Sequence, residues 1–93
     1  MIMHLTIRQP LPEQAEAFID ALHHFEQVMK GQPGVLSAHT LRDTNTGTLV
    51  SLCVWSTKES WLSGQLAVHR AEADANLAGL DHEAPVTYHL EEV

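Results

Sequence analysis

Apolar and polar residues alternate along four short stretches of the chain and recur every three or four residues along two longer ones. The first stretch, Ile2 to Arg8, places Met3, Leu5 and Ile7 on one side and polar residues on the other. Such alternation is typical of a β-strand with one apolar face. Three further strands are predicted by the same pattern: residues 35–42, 48–55 and 86–91.

A spacing of three and four residues predicts a first helix between the first two strands. Pro12 fits the first helical position, and Gly31 followed by Pro33 ends the helix. Its apolar stripe consists of Phe18, Leu22, Phe25 and Met29.

A second helix is predicted from about Thr57 to Leu77 or Ala78. Ser56 and Glu59 have the spacing of a capping box at its start, and Gly64 can divide it in two. Its expected apolar stripe consists of Leu62, Leu66, His69, Ala73 and Leu77.

The predicted order of elements is strand, helix, strand, strand, helix, strand. This is the βαββαβ order of ferredoxin-like α+β domains, in which right-handed crossovers put both helices on one face of a four-stranded antiparallel sheet. We expect residues 1–93 to form a single domain. A chain of 93 residues has a small core, and a partner subunit would add burial.

We expect the wholly apolar sets of the strands to lie beneath the helices. These sets are Met3, Leu5, Ile7, Val50, Leu52, Val54, Val86, Tyr88 and Leu90. The other face then carries His4, Thr6, Arg8, Leu49, Ser51, Cys53, Trp55, Thr87 and His89. Because exposure of a Trp and a Leu to water is unfavourable, we predict that a second copy of the chain covers this mixed face and encloses a cavity.

The side chains that the second strand adds to this lining depend on whether the strand contains a bulge. Either of two sets can face the cavity, because a bulge near Arg42 would change which side chains of the strand share a face. The alternatives are Ser37, His39 and Leu41, or Thr40 and Arg42.

Composition narrows the class of partner. The chain has 44% hydrophobic and 18% charged residues, as globular proteins do. A formal charge of −7 with five basic residues argues against nucleic acid or an anionic membrane as the main partner. Since no apolar stretch is long enough to span a bilayer and the N-terminus does not resemble a secretion signal, we expect no membrane association. The single cysteine, Cys53, excludes an intrachain disulfide and favours a cytoplasmic location.

Several short motifs resemble the antibiotic biosynthesis monooxygenase superfamily of dimeric α/β barrels. They are Pro33-Gly34, Leu41-Arg42-Asp43, Val54-Trp55-Ser56-Thr57-Lys58-Glu59-Ser60 and His69-Arg70-Ala71. The resemblance extends over nearly the whole chain in element order. It implies a homodimer with a cleft between sheet and helices in each subunit. Some members insert dioxygen into electron-rich aromatic substrates without metal or flavin, and others bind and degrade haem.

This resemblance suggests a cofactor-independent monooxygenase that acts on an aromatic, polyphenolic or quinone-like metabolite. The alternatives are a non-catalytic dimer that binds a small ligand, and a haem protein. His4 and His89 are the predicted catalytic residues, because they lie on neighbouring strands and an imidazole can serve as general base for a phenol. Interface hydrogen bonding is an alternative role for each. No His-x-His or Cys-x-x-Cys spacing supports a metal site.

Four further residues are predicted to bind substrate: Trp55, Trp61, His69 and Arg42. By the resemblance Trp55 borders the cleft, although it can equally anchor the dimer seam. Trp61 and His69 resemble the pair of the haem-degrading branch, in which the histidine holds the iron; here the first strand has no Asn and the two residues are closer together. A packing histidine is the alternative for His69. Arg42 could hold an acidic substrate group if a bulge turns it inward.

Overall fold

The structure, a computed structural model, describes residues 1–80 and 83–93, except for the side chain of residue 78. The strands and helices are β1 Ile2–Arg8, α1 Ala15–Lys30, β2 Val35–Arg42, β3 Leu49–Trp55, α2 Lys58–Ser63, α3 Gln65–Asp74 and β4 Val86–Glu91. Short 3-10 turns occupy Pro12–Gln14 and Leu77–Gly79. Among the described helices, none combines the length and apolar character needed to cross a membrane.

The four strands form one antiparallel sheet in the order β2-β3-β1-β4. The two strands that are adjacent in the chain, β2 and β3, form a hairpin, and β1 lies between β3 and β4. Helices α1 and α3 pack on one face of this sheet. The predicted ferredoxin-like α+β fold with helices on one face is therefore confirmed.

A bulge decides which side chains of β2 share a face. The pairing with β3 shifts between Val35 and Ser37, at the start of the strand and not near Arg42. From there on, Ala38 and Thr40 lie on the same face as Cys53 and Ser51 of β3. The set Ser37, His39 and Leu41 lies on the opposite face.

The helical segment after β3 begins at a different cap from the predicted one. Thr57 has extended backbone angles, and its hydroxyl accepts a hydrogen bond from the Ser60 backbone N–H at 3.0 Å. The backbone N–H of Ser56 instead donates to the Gly34 carbonyl at 2.8 Å. Ser56 therefore belongs to the end of the hairpin, and its predicted pairing with Glu59 as a capping box is wrong.

Gly64 divides this segment into α2 and α3, as the sequence suggested. A Cβ atom at Gly64 would overlap the indole ring of Trp55, so a glycine is needed where the helices approach the sheet. After the break, the buried side chains of α3 are Val68 and Ala71. The predicted stripe is wrong for Leu62, Leu66, His69 and Ala73, which are exposed, and only its last member, Leu77, is buried.

The helices cover the mixed face of the sheet and not the wholly apolar one. The expectation that the apolar sets lie beneath the helices, and that a second copy of the chain covers the mixed face, is therefore wrong. Trp55 is 0% exposed and packs in one cluster with Met29 of α1 and Val68 of α3. The reason is steric: a large flat ring beside small residues fits under helices that approach closely at Gly64.

The apolar sheet face is therefore left without a helix layer. We use this name for Met3, Leu5, Ile7, Val50, Leu52, Val54, Val86, Tyr88 and Leu90. On β4 the side chains of Val86, Tyr88 and Leu90 are 44–49% exposed. Contiguous exposed apolar surface of this kind marks an interaction site.

Among the described residues, two separate groups of buried side chains form the core beneath the helices. One surrounds Trp55, with Ile2, Met29, Ala38, Cys53, Val68 and Ala71. The other consists of Phe18, Leu22, Leu49 and Leu77. Phe25 of α1 touches both groups. A core divided in this way leaves room for a cleft between its halves.

Candidate functional site

A cleft lies between the sheet and the two long helices. Its floor consists of two adjacent rows of side chains on the mixed face of the sheet. In one row His4 of β1 pairs with Cys53 of β3. In the next row Thr6 pairs with Ser51. Polar residues thus occupy the middle of this surface, between Ile2 and Trp55 at one end and Arg8 and Leu49 at the other.

The helices supply the roof of the cleft. Phe25 and Met29 come from α1, and Val68 and Glu72 come from α3. Together with its open mouth, the cleft contains about 440 Å³ of space outside protein atoms, but its narrow interior has room for about one water molecule. Side chains of the roof must therefore move before an aromatic ring can enter.

His4 is held in its neutral form. Burial lowers its pKa from 6.5 to about 4, with smaller contributions from His89, Arg8 and His69. Burial has this effect because it penalises the charged imidazolium. The ring is therefore an uncharged hydrogen-bonding group at neutral pH.

The rings of His4, His89 and Trp61 form an aromatic string, a series of ring contacts that extends from His4 toward the edge of the sheet. The rings of His4 and His89 meet edge to face, with centroids 4.9 Å apart. The ring of Trp61 lies 4.7 Å from that of His89. Trp61 Nε1 is shielded from solvent, and within residues 1–80 and 83–93 it has no hydrogen-bond partner. These contacts fix the orientation of both imidazoles.

Cys53, beside His4 on the floor, is also held neutral. Burial raises the pKa of its thiol to about 11. The same cause thus shifts the pKa of a base downward and the pKa of an acid upward. The middle of the cleft is a weakly polarisable environment that disfavours charge of either sign.

Hydroxyl groups occupy the second row of the floor. The hydroxyls of Thr6 and Thr87 lie 3.3 Å apart and share a hydrogen bond. Ser51 Oγ is shielded from solvent, and no hydrogen-bond partner is found for it in the described part of the chain. The second row therefore offers an uncharged hydrogen-bonding group to whatever fills the cleft.

Arg8 closes one end of the cleft. Its side chain is 6% exposed, and Nη2 donates to Glu72 Oε2 at 3.4 Å. The guanidinium also lies over the Phe18 ring, 5.9 Å from its centroid. Since Glu72 is on α3, this contact joins β1 to the helix layer across the end of the cleft.

Three of the residues predicted from the sequence come together. His4 lines the cleft. The ring of His89 contacts that of His4, and the ring of Trp61 contacts that of His89. His4 pairs with His89 across β1 and β4, so their predicted position on neighbouring strands is confirmed.

The other three predicted residues lie outside the cleft. Trp55 is fully buried in the core, so it lies neither on a cleft wall nor on a dimer seam. His69 is on the exposed side of α3, although it is near enough to lower the pKa of His4. Arg42 is exposed at the end of β2 and lines a different, shallow depression beside α1.

Sequence reasoning gave no role to several residues of the cleft: Thr6 and Ser51, which it placed only among the lining of a cavity, and Phe25, Met29 and Glu72. A signal was present for two of them. Thr6 follows His4 by two residues, and Ser51 precedes Cys53 by two, so alternation puts them on the same face as His4. The helix residues had no such signal, because their approach to the sheet depends on packing at Gly64.

Metal ligands do not gather at this cleft or elsewhere in the described ranges. Within residues 1–80 and 83–93, no three His, Cys, Asp or Glu side chains are grouped so that they could hold a metal ion.

Comparison of the sequence with protein families matches residues 1–73 to the model of the antibiotic biosynthesis monooxygenase family. A comparison with curated proteins finds no match.

Solved structures with the same fold cover nearly the whole chain. A putative antibiotic biosynthesis monooxygenase from Nitrosomonas europaea is 15% identical, with a TM-score of 0.84 over 100% of this chain and 99% of that one. One from Caulobacter crescentus CB15 is 21% identical, with a TM-score of 0.82 over 99% and 89%. A conserved protein from Methanosarcina mazei Go1 is 15% identical, with a TM-score of 0.86 over 99% and 92%. At these identities the likeness establishes the fold alone.

Proposed function

Because the chain belongs to the antibiotic biosynthesis monooxygenase family, we propose that it is a cofactor-independent monooxygenase that acts on an aromatic, polyphenolic or quinone-like metabolite. The observation that carries the proposal is the neutral imidazole of His4 on the floor of a cleft that divides the core. A neutral imidazole placed in a cleft beside the substrate can accept the proton of a phenol.

In this proposal His4 accepts the proton of a substrate hydroxyl. The resulting anion is rich in electrons at carbon and transfers one electron to dioxygen, after which the two radicals combine at that carbon. The peroxide takes back the proton held by His4 and becomes a hydroperoxide. Loss of water, which includes the hydrogen of that carbon, then leaves a carbonyl, so one oxygen atom enters the product and the other leaves as water. His89 and Trp61 hold the His4 ring in position through the contacts described above.

A second function, non-catalytic binding of a small ligand, is favoured by one observation. The lowered pKa of His4 makes it a weak base, because a base takes a proton efficiently only when its pKa is close to that of the acid. A neutral His4 could then serve only as a hydrogen-bonding group for the ligand.

Haem does not fit the residues present. His69, the candidate iron ligand, is exposed and does not line the cleft.

We also propose that the protein is a homodimer whose two-fold axis passes between two apolar sheet faces. The support is the exposure of large side chains such as Tyr88 and Leu90 on that face. A second copy presents the same apolar surface, and a two-fold interface is self-complementary. The cleft of each subunit then lies on the side of the sheet away from the partner.

Oxygen uptake tests the proposed activity. Purified protein is assayed with a panel of polyphenols and hydroquinones in the presence of a chelator. We expect uptake by wild type, a fall of roughly 100-fold or more in His4→Gln, and wild-type rates in His24→Gln, a matched change on the exposed side of α1. Uptake by none of the compounds would favour the binding function, and equal rates in both variants would exclude His4 as the base.

A further inference from the structure

Ser51 lies at the centre of the cleft floor. Its Cα pairs with that of Thr6 on one side and that of Thr40 on the other. Its Oγ is shielded from solvent and has no hydrogen-bond partner among the described residues. A buried hydroxyl costs free energy unless something bonds to it. Since Ser51 lines the cleft, a molecule in the cleft is within its reach.

The position of Ser51 relative to His4 limits the shape of that molecule. The row that contains Ser51 is next to the row that contains His4, and residues two apart on a strand are separated by about 7 Å. Both rows belong to one cleft. A single aromatic ligand can therefore present one oxygen to the imidazole and a neighbouring oxygen to the serine.

The surroundings of both residues limit the charge of that molecule. The environment that keeps His4 and Cys53 neutral penalises a charged ligand group in their row. In the row on the other side of Ser51, Arg8 is already paired with the Glu72 carboxylate, so Arg8 does not favour a second carboxylate in the cleft. The acceptor that faces Ser51 is then an uncharged oxygen, as in a ketone or quinone, and not a carboxylate.

We propose that Ser51 determines substrate specificity: its hydroxyl donates a hydrogen bond to the carbonyl oxygen of an uncharged aromatic ligand whose conjugated hydroxyl faces His4. The inference rests on the proposed function for the role of His4. It adds the chemical class of the ligand and the residue that selects it.

Three small probes separate the contributions of the carbonyl group and of charge. Ortho-hydroxyacetophenone carries the hydroxyl and an uncharged carbonyl. Ortho-ethylphenol has nearly the same shape without the carbonyl oxygen, and salicylate replaces the ketone by a charged carboxylate. Binding is measured under nitrogen, by calorimetry or NMR titration, so that it does not depend on turnover.

For wild type we expect the tightest binding for ortho-hydroxyacetophenone and the weakest for salicylate. Ser51→Ala should lower the affinity for ortho-hydroxyacetophenone by roughly tenfold, the loss typical of one buried hydrogen bond. The same variant should leave ortho-ethylphenol unchanged, because that probe offers no acceptor in this position. Ser37→Ala, on the opposite face of the sheet, is the matched control and should bind both as wild type does.

A purely structural role of Ser51 would weaken both uncharged probes equally, and that result would overturn the proposal. So would an unchanged affinity in Ser51→Ala, tighter binding of salicylate, or no saturable binding of ortho-hydroxyacetophenone to wild type. Failure of the oxygenase is a separate result: carbonyl-dependent binding without oxygen uptake would keep the role of Ser51 and exclude the reaction.

Discussion

At the scale of single residues, the properties of His4 depend on where the fold buries it. The lowered pKa of His4 means that the unfolded chain binds more protons than the folded chain between about pH 4 and 6.5. The contribution of His4 to stability is therefore complete above pH 6.5 and is lost as the pH falls toward 4.

We predict that His4→Gln removes part of the acid sensitivity of the protein. Allowing for the partial exposure of the ring, the effect is on the order of 1 kcal/mol, or roughly 5 °C in Tm for a chain of this size. Thermal unfolding of wild type and His4→Gln at pH 7.5, 5.5 and 4 (roughly the span of the titration) would measure it. The matched His24→Gln variant should retain the wild-type decrease. Parallel Tm profiles for wild type and His4→Gln would contradict the prediction.

At the scale of elements, the short helix α2 depends on its cap. A helix of six residues, Lys58–Ser63, has little intrinsic stability. The Thr57 hydroxyl satisfies one of its free backbone N–H groups. Because Trp61 lies on this helix and contacts His89, the cap also supports the aromatic string beside the cleft.

We predict that Thr57→Ala lowers the free energy of unfolding by about 1 kcal/mol, the usual cost of losing an N-cap. The neighbouring Ser56→Ala should change it by less than about 0.5 kcal/mol, because the bond of Ser56 to Gly34 uses the backbone. Urea unfolding of both variants and wild type provides the comparison. A larger loss in Ser56→Ala would restore Ser56 as the cap.

At the scale of the whole molecule, the two faces of the sheet have different environments. One is covered by α1 and α3 and contains the cleft. The other is the apolar sheet face, on which Val86, Tyr88 and Leu90 are exposed. Burial of such a face stabilises a dimer in proportion to the apolar area removed from water.

We predict that Tyr88→Glu converts the proposed homodimer to monomer, since a carboxylate at the proposed two-fold interface would be buried without a partner. Leu66→Glu is the matched control: Leu66 is 61% exposed on the helix layer, so this variant should remain dimeric. Light scattering coupled to size-exclusion chromatography gives the mass of each, and circular dichroism verifies folding. A Tyr88→Glu dimer, or a wild-type monomer, would refute the proposed interface.

The sequence alone determined the number and order of the strands and the residues that share each strand face. Alternation fixes these features because side chains of a strand point to opposite sides in turn. The bounds of β1 and β2 agree with the prediction, and so does the break at Gly64. The family resemblance, too, was recognisable from short motifs, and the match over residues 1–73 confirms it.

Only the tertiary structure decided which face the helices cover. Alternation groups Trp55 with Cys53 and His4 with Thr6, but it does not tell whether a helix or a second chain lies over them. The choice depends on the fit of the Trp55 ring against Gly64 and on the bulge between Val35 and Ser37. Such contacts join residues far apart in the chain, and close packing sets their energy. The position of the cleft follows from them.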